Sequence, residues 1–222
     1  MDKKNVLIIA YTFPPMTGPG SFRALQFSKY LDLSGFNTTV LTASKSNQND
    51  EIEDHNLLKQ LDSSKKILRI SSMELRRVRK LLVKLRLFRL FWFFMYPIFW
   101  EQAALWPFLS FSAARREIKK SNINIIYTTS APFATIILGS MLKLIDNKII
   151  WVADLRDPFT DGYMWRWPSK LHWYVCRIIE HYMIKIPDHI IVPTPTFKDM
   201  YIKRNLVRED RISVITNGFD ES

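Results

Sequence analysis

Asn5-Val-Leu-Ile-Ile-Ala10-Tyr-Thr-Phe-Pro-Pro-Met-Thr-Gly-Pro-Gly-Ser21 reads as a strand, a tight loop and the start of a helix. Val6 to Ala10 is a continuous apolar run rich in β-branched residues, the pattern of a strand covered on both faces. Pro14, Pro15, Gly18, Pro19 and Gly20 then break the chain into a loop. Ser21 is placed to cap a helix running to about Ser34, with Gly35 as its stop.

The alternation continues downstream. Strands are expected at Thr38–Thr42, Lys66–Ile70, Asn124–Thr128, Lys148–Val152, His189–Val192 and Ile212–Ile215. Helices are expected at about 74–94, 102–120, 131–144, 169–186 and 196–204, and Ser44–Asp54 reads as a polar surface loop. Strands alternating with helices imply right-handed crossovers, hence an α/β fold: a doubly wound, parallel, Rossmann-like sheet of about seven strands. In such sheets ligands bind beyond the carboxyl ends of the strands, where strand order reverses. With the order 3-2-1-4-5-6 that point lies between the first and fourth strands. It singles out three loops: Thr12–Ser21, Thr129–Pro132 and Ala153–Gly162.

In the first loop, glycines between strand and helix allow a phosphate or sugar to approach the backbone, and the helix N-terminus favours anionic charge. A nicotinamide fingerprint does not fit, because Arg23 holds the third glycine position and Thr42-Ala43-Ser44 offers no acid for a ribose. The same loop also fits a Pro-Gly turn with no ligand. In the third loop Asp154, Arg156 and Asp157 leave an apolar strand together, and a carboxylate beside an arginine can orient sugar hydroxyls. These are the candidate catalytic residues; an ion pair that only ties the loop down fits them equally by residue type. Ser130 and Pro132 in the middle loop supply a hydroxyl and a helix start.

The whole chain, 222 residues with 47% apolar residues, fits one large domain. Its net charge of +11 points to polyanions: lipid headgroups, nucleic acid or phosphate-bearing substrates. One cysteine, Cys176, rules out an internal disulfide framework and makes a reducing cytosol the natural compartment. That cysteine sits among aromatic residues and reads as packed rather than reactive. Val6–Ala10 is too short for a signal-peptide core. Leu90–Trp100, the longest apolar candidate, has about half of the ~20 residues a spanning helix needs and contains Pro97. The four histidines show no ligand spacing such as HExxH, so no metal site is expected.

Between Leu75 and Arg89 there are seven Lys or Arg and no acid. Val78, Leu81, Leu82, Leu85, Phe88 and Trp92 recur at helical spacing, with Arg76, Arg77, Arg79, Lys80 and Lys84 mainly on the other face. Trp92, Phe93 and Trp100 belong to the aromatic cluster that follows. This is the composition of a helical arm lying in a lipid interface, expected as an insertion at about 74–110. A core helix with a solvated charged face fits as well. Nucleic acid also suits basic and aromatic residues, but no recognised module accompanies them.

At these loops the sequence resembles the N-terminal domain of family 4 glycosyltransferases of the GT-B fold. The matching pieces run in order: Tyr11-Thr-Phe-Pro-Pro-Met-Thr-Gly-Pro-Gly-Ser-Phe-Arg-Ala24, Trp106-Pro107, and Tyr127-Thr-Thr-Ser-Ala-Pro-Phe133. Trp151-Val-Ala-Asp-Leu-Arg-Asp-Pro-Phe159, the Glu180 helix leading to Asp188-His-Ile-Ile-Val192, and Ile215-Thr-Asn-Gly-Phe-Asp220 complete them. The resemblance implies transfer of a sugar from a nucleotide-sugar substrate, without metal or other cofactor. The acceptor is often a lipid-linked saccharide for surface polysaccharide, met at the cytoplasmic face of a membrane. By position, Gly18, Gly20 and Ser21 would approach the donor's sugar-phosphate. Arg23 and the Asp154–Asp157 loop would line the acceptor side together with Ser130 and Pro132. Asn217 and Gly218 would mark the hinge to a donor-binding domain. Pro19 departs from the family's two-glycine loop by removing a backbone donor. The sequence ends at that hinge, so the expectation is an acceptor-side half with little turnover unless a separate chain completes the cleft. A non-catalytic membrane or partner-binding module that keeps the fold is the alternative.

Overall fold

The computed structural model describes residues 4–44, 53–72, 103–162, 167 and 169–218. Seven parallel strands form one sheet: β1 (Asn5–Ala10), β2 (Asn37–Ala43), β3 (Ile67–Ile70), β4 (Ile125–Thr129), β5 (Ile150–Asp154), β6 (His189–Val192) and β7 (Ile212–Val214). Their order is β3-β2-β1-β4-β5-β6-β7, and it reverses between β1 and β4 as expected. Five helices are described: α1 (Pro19–Leu33), α2 (Trp106–Lys120), α3 (Ala134–Ile145), α4 (Lys170–Lys185) and α5 (Pro195–Lys203). Two 3-10 turns, His55–Gln60 and Glu209–Arg211, were not foreseen. The expected arm lies mostly outside the described residues, as do most of the Ser44–Asp54 loop and the membrane candidates Arg76, Arg77, Arg79, Lys80, Lys84, Trp92, Phe93 and Trp100. No helix of the described residues is long and apolar enough to cross a membrane.

The pleat explains the two layers. Along β1, Val6, Ile8 and Ala10 pack against Ala24 and Leu25 of α1, while Leu7 and Ile9 join a core built with α2 to α5. Alternate side chains point to opposite faces, so a strand apolar at every position is clad on both sides. Trp106 at the start of α2 and Trp151 in β5 are the largest fully buried side chains. Trp151 Nε1 donates to Thr128 Oγ1 at 3.0 Å, which satisfies the indole inside the core.

Helix α1 starts earlier than the sequence suggests. Its cap is Gly18, with φ 123, a backbone conformation that glycine adopts without strain, and Pro19 follows. Proline suits that first turn because its missing N–H would have no helical partner. Ser21 is therefore inside the helix and does not cap it; its hydroxyl donates to Met16 O at 2.5 Å and closes the loop. Strand β5 runs to Asp154, two residues past its expected end, so Asp154 is a strand residue.

Candidate functional site at the carboxyl edge of the sheet

Strands β1, β4 and β5 are neighbours, with Ala10 beside Thr129 and Thr129 beside Asp154. Their carboxyl ends deliver the three loops to one place. Two arginines knit the region together.

Arg156 leaves β5 and crosses to the β4 loop, where its Nε donates to Ser130 O and its Nη2 donates to Ala131 O at 2.6 Å. The Arg156 backbone amide donates to Ser130 Oγ at 3.3 Å. The guanidinium packs closely against the start of α1: a Cβ on Gly20 would sit 2.7 Å from Nη2 and 2.8 Å from Nη1. Gly20 thus admits a side chain of this protein at the very point where the sequence suggests a ligand. Burial pulls the Arg156 guanidinium below its ordinary pKa, with Asp154 and Asp157 opposing that pull, and it stays cationic at neutral pH. Asp157, one residue on, is exposed. Ser130 is buried and its oxygens are engaged by Arg156, while Pro132 O accepts from Thr135 Oγ1 at 3.0 Å.

Arg23 makes the second junction. From α1 it grips Asp154 through Nε at 2.6 Å and Nη2 at 2.8 Å. The same Asp154 carboxylate accepts from Tyr127 OH at 2.6 Å and Thr129 Oγ1 at 3.1 Å. Three of these donors converge on Oδ2 and one reaches Oδ1, so the carboxylate is held on both oxygens, and Asp154 is wholly shielded from solvent. Its place is that of a positioning group, and its cation is Arg23 rather than the nearby Arg156. Burial lowers the Arg23 pKa, but the bond to and charge of Asp154 more than reverse this, so the net shift is upward. Burial, reinforced by the charge on Asp154, pushes the Tyr127 hydroxyl well above its ordinary range, which keeps it a donor. Past β7, Nη1 donates to Thr216 O at 3.2 Å and Asn217 Oδ1 at 3.0 Å, and Nη2 donates also to Ile215 O at 3.0 Å. Gly18, at the rim, and Gly218, exposed in the last described segment, have open space where a Cβ would lie.

The sequence reading singled out Thr129 only as part of the middle loop and Tyr127 only in the resemblance; it missed both as partners of Asp154, although strand period two places them on the face that Asp154 shares. A second buried network escaped it too. Glu180 of α4 accepts from Thr160 Oγ1 at 2.5 Å and Tyr201 OH at 3.2 Å, and pairs with Arg204. Its signal was a glutamate at helical spacing from Cys176 and Ile184, on the buried face. Burial, and then the charge of Glu180, pushes the Cys176 thiol up to about 12. At pH 8 this leaves on the order of a thousandfold less thiolate than an ordinary cysteine carries. Native protein should therefore resist iodoacetamide at that pH and react only once unfolded; rapid alkylation of the native chain would contradict the packing described.

Residues 21–222 match the family model of Glycosyltransferase Family 4. The chain belongs to glycosyltransferase family 4. No curated protein matches it in sequence. Among solved structures, this family 4 chain is similar to sucrose-phosphate synthase from Thermosynechococcus elongatus, at TM-score 0.58 and 14% identity over 98% of this chain and 49% of that one. It is also similar to a UDP-N-acetylglucosamine 2-epimerase from Listeria monocytogenes, at TM-score 0.56 and 12% identity over 96% and 45%. Apo UGT2 of Phytolacca americana superposes at TM-score 0.53 and 10% identity over 97% and 52%. At such identities the likeness is one of fold: a Rossmann-like half of the GT-B architecture. The chain spans about half the length of these structures.

Proposed function

We propose that this family 4 chain forms the acceptor-side lobe of a glycosyltransferase. In this reading a nucleotide-sugar donor, held by an opposing lobe on the same or another polypeptide, gives its sugar to a saccharide or lipid-linked acceptor at a membrane surface during surface-polysaccharide synthesis. The observation that carries it is the convergence of the Gly20, Ser130 and Asp157 loops at the strand-order reversal, locked by Arg156. Within that junction the two carboxylates divide. Asp154 is spent on Arg23, so Asp157 is the carboxylate left open to an incoming hydroxyl. It would accept the hydrogen bond of the acceptor alcohol and orient it, while the rigid Arg156 plate and the start of α1 face the donor's phosphates. The arm at about 74–110, with its basic and aromatic residues, would hold the lobe at the membrane. The acceptor class and the cytoplasmic membrane face rest on the sequence resemblance.

The test is reconstitution. This chain, fused to or mixed with a family 4 donor-binding lobe, should transfer sugar from a nucleotide sugar, and Asp157→Asn should lower the rate about 100-fold. Because Asp157 is exposed, the variant should unfold at the same denaturant concentration as the parent. Transfer that persists undiminished in Asp157→Asn would remove that residue from the site. Absence of transfer with any donor lobe would favour the non-catalytic reading.

A further inference from the structure

Helix α4 turns His172, Cys176, Glu180 and Ile184 inward. On a helix with one face in water, the opposite side should be polar. Instead it carries Leu171, Tyr174, Ile178 and Tyr182, exposed by 65%, 59%, 44% and 63%. Spacings of three, four and four residues align them in one stripe about 16 Å long, at the helical rise per residue. Beside the stripe, Trp173, Arg177 and His181 wall an open groove of about 460 Å³ closed on its far side by Arg204 and Leu206. Arg177 stacks over the Trp173 ring at 4.8 Å.

Around this face the paired charges cancel, and the ones left over, Lys170 and Lys185, are positive. Asp161 is paired with Arg177 at 3.1 Å and with Arg204 at 2.7 Å, and Glu180 is buried against Arg204. Lys170 and Lys185 stand exposed at the two ends of the helix. Leu206 also lines a second groove of about 520 Å³, rimmed by Lys185, Arg208 and Arg211; there Arg208 is paired with Asp210 and Glu209 with Lys198 at 3.4 Å, which leaves Lys185 and Arg211 as the cations without an acid among the described residues. Two copies of a chain of net charge +11 meeting through this face would oppose like charges. Anionic headgroups would meet it with the opposite sign. Tyrosine and tryptophan rings with an apolar body and a polar tip, flanked by cations on long apolar stems, suit the boundary between water and acyl chains.

We propose that the outward face of α4 docks on an anionic membrane, with the Leu171–Tyr182 stripe among the upper acyl segments and Lys170, Arg177 and Lys185 at the headgroups. This deepens the membrane part of the proposed function by naming a surface apart from the arm, and it rests on that reading for its purpose.

Co-sedimentation of the full chain with sucrose-loaded vesicles tests it. The parent should bind phosphatidylglycerol–phosphatidylcholine vesicles and not pure phosphatidylcholine ones. The triple variant Tyr174→Gln, Ile178→Gln, Tyr182→Gln should partition about tenfold more weakly or worse. Lys170→Glu with Lys185→Glu, which touches only exposed helix ends, should also weaken binding, so the outcome does not hang on the triple variant folding. Binding unchanged in either variant, or a parent that ignores anionic vesicles, overturns the proposal. So does light scattering that finds a dimer broken by the triple variant, since the face would then join two copies. If the variant Arg76→Glu, Arg77→Glu, Arg79→Glu, Lys80→Glu abolishes binding while both α4 variants bind like the parent, the α4 surface is wrong and the proposed function stands. Failure of the reconstituted enzyme to transfer sugar to either a soluble or a lipid-linked acceptor would instead sink the function and leave vesicle binding untouched.

Discussion

Asp154→Ala is expected to destabilise the fold by about 3–5 kcal/mol, the cost of leaving a buried charge without its partner. The variant strips Arg23 of both side-chain bonds to Asp154 and leaves the Tyr127 hydroxyl, itself buried, without its acceptor. For a domain of this length each kcal/mol lowers the melting temperature by roughly 2–4 °C, so a fall of about 10 °C is expected. Urea unfolding should show a lower midpoint at an unchanged slope. The double variant Arg23→Met, Asp154→Leu removes the charges together. It should lose less than Asp154→Ala alone, because an apolar pair of similar volume avoids the orphaned cation. If Asp154→Ala unfolds like the parent, or the double variant is worse than the single, the four-donor network is not what holds α1 to β5.

Gly20→Val should have the largest effect on activity. Its branched side chain would claim the volume of the Arg156 guanidinium, since even the first carbon falls 2.7 Å from Nη2. Arg156 must then swing away, releasing Ser130 O and Ala131 O and loosening the β4 loop from α1. Overpacking of this kind costs about 1–3 kcal/mol, which leaves the protein folded. Displacing a site by about an ångström costs roughly 100-fold in rate, so in the reconstituted enzyme kcat/KM should drop at least that far. Gly20→Ala meets the same atoms with less bulk and should fall between. A Gly20→Val variant that retains full activity would show that Arg156 can leave its place without consequence for the site.

The fold was largely legible because its signals are local. Val6–Ala10 is apolar at every position, Pro14 to Gly20 break the chain, and the strands that follow recur between helical stretches. Strand order followed the usual one for a doubly wound sheet, and family 4 membership matches the resemblance carried by the loops. Boundaries slipped where tertiary partners decide them. Asp154 reads as a loop residue because an isolated carboxylate does not end a buried strand comfortably. Arg23, far away in the chain, neutralises it and lets the strand run on. Ser21 has the chemistry of a cap, yet Pro19 starts the helix ahead of it. The close approach of Arg156 to Gly20 left no local mark either: a glycine in a Pro-Gly loop looks the same whether it admits a ligand, a turn or a guanidinium. Exposure separated Asp157 from Asp154, and exposure is a property of the assembled sheet.

Arg23 spans three elements at once. Its grip on Ile215, Thr216 and Asn217 fastens the strip after β7 to the same buried carboxylate that anchors α1 to β5. That strip therefore travels with the lobe as part of its frame. In the proposed two-lobe enzyme, a lever arm joined at Gly218 would swing from a fixed post over the junction of Gly20, Ser130 and Asp157, and that post would be set by one side chain.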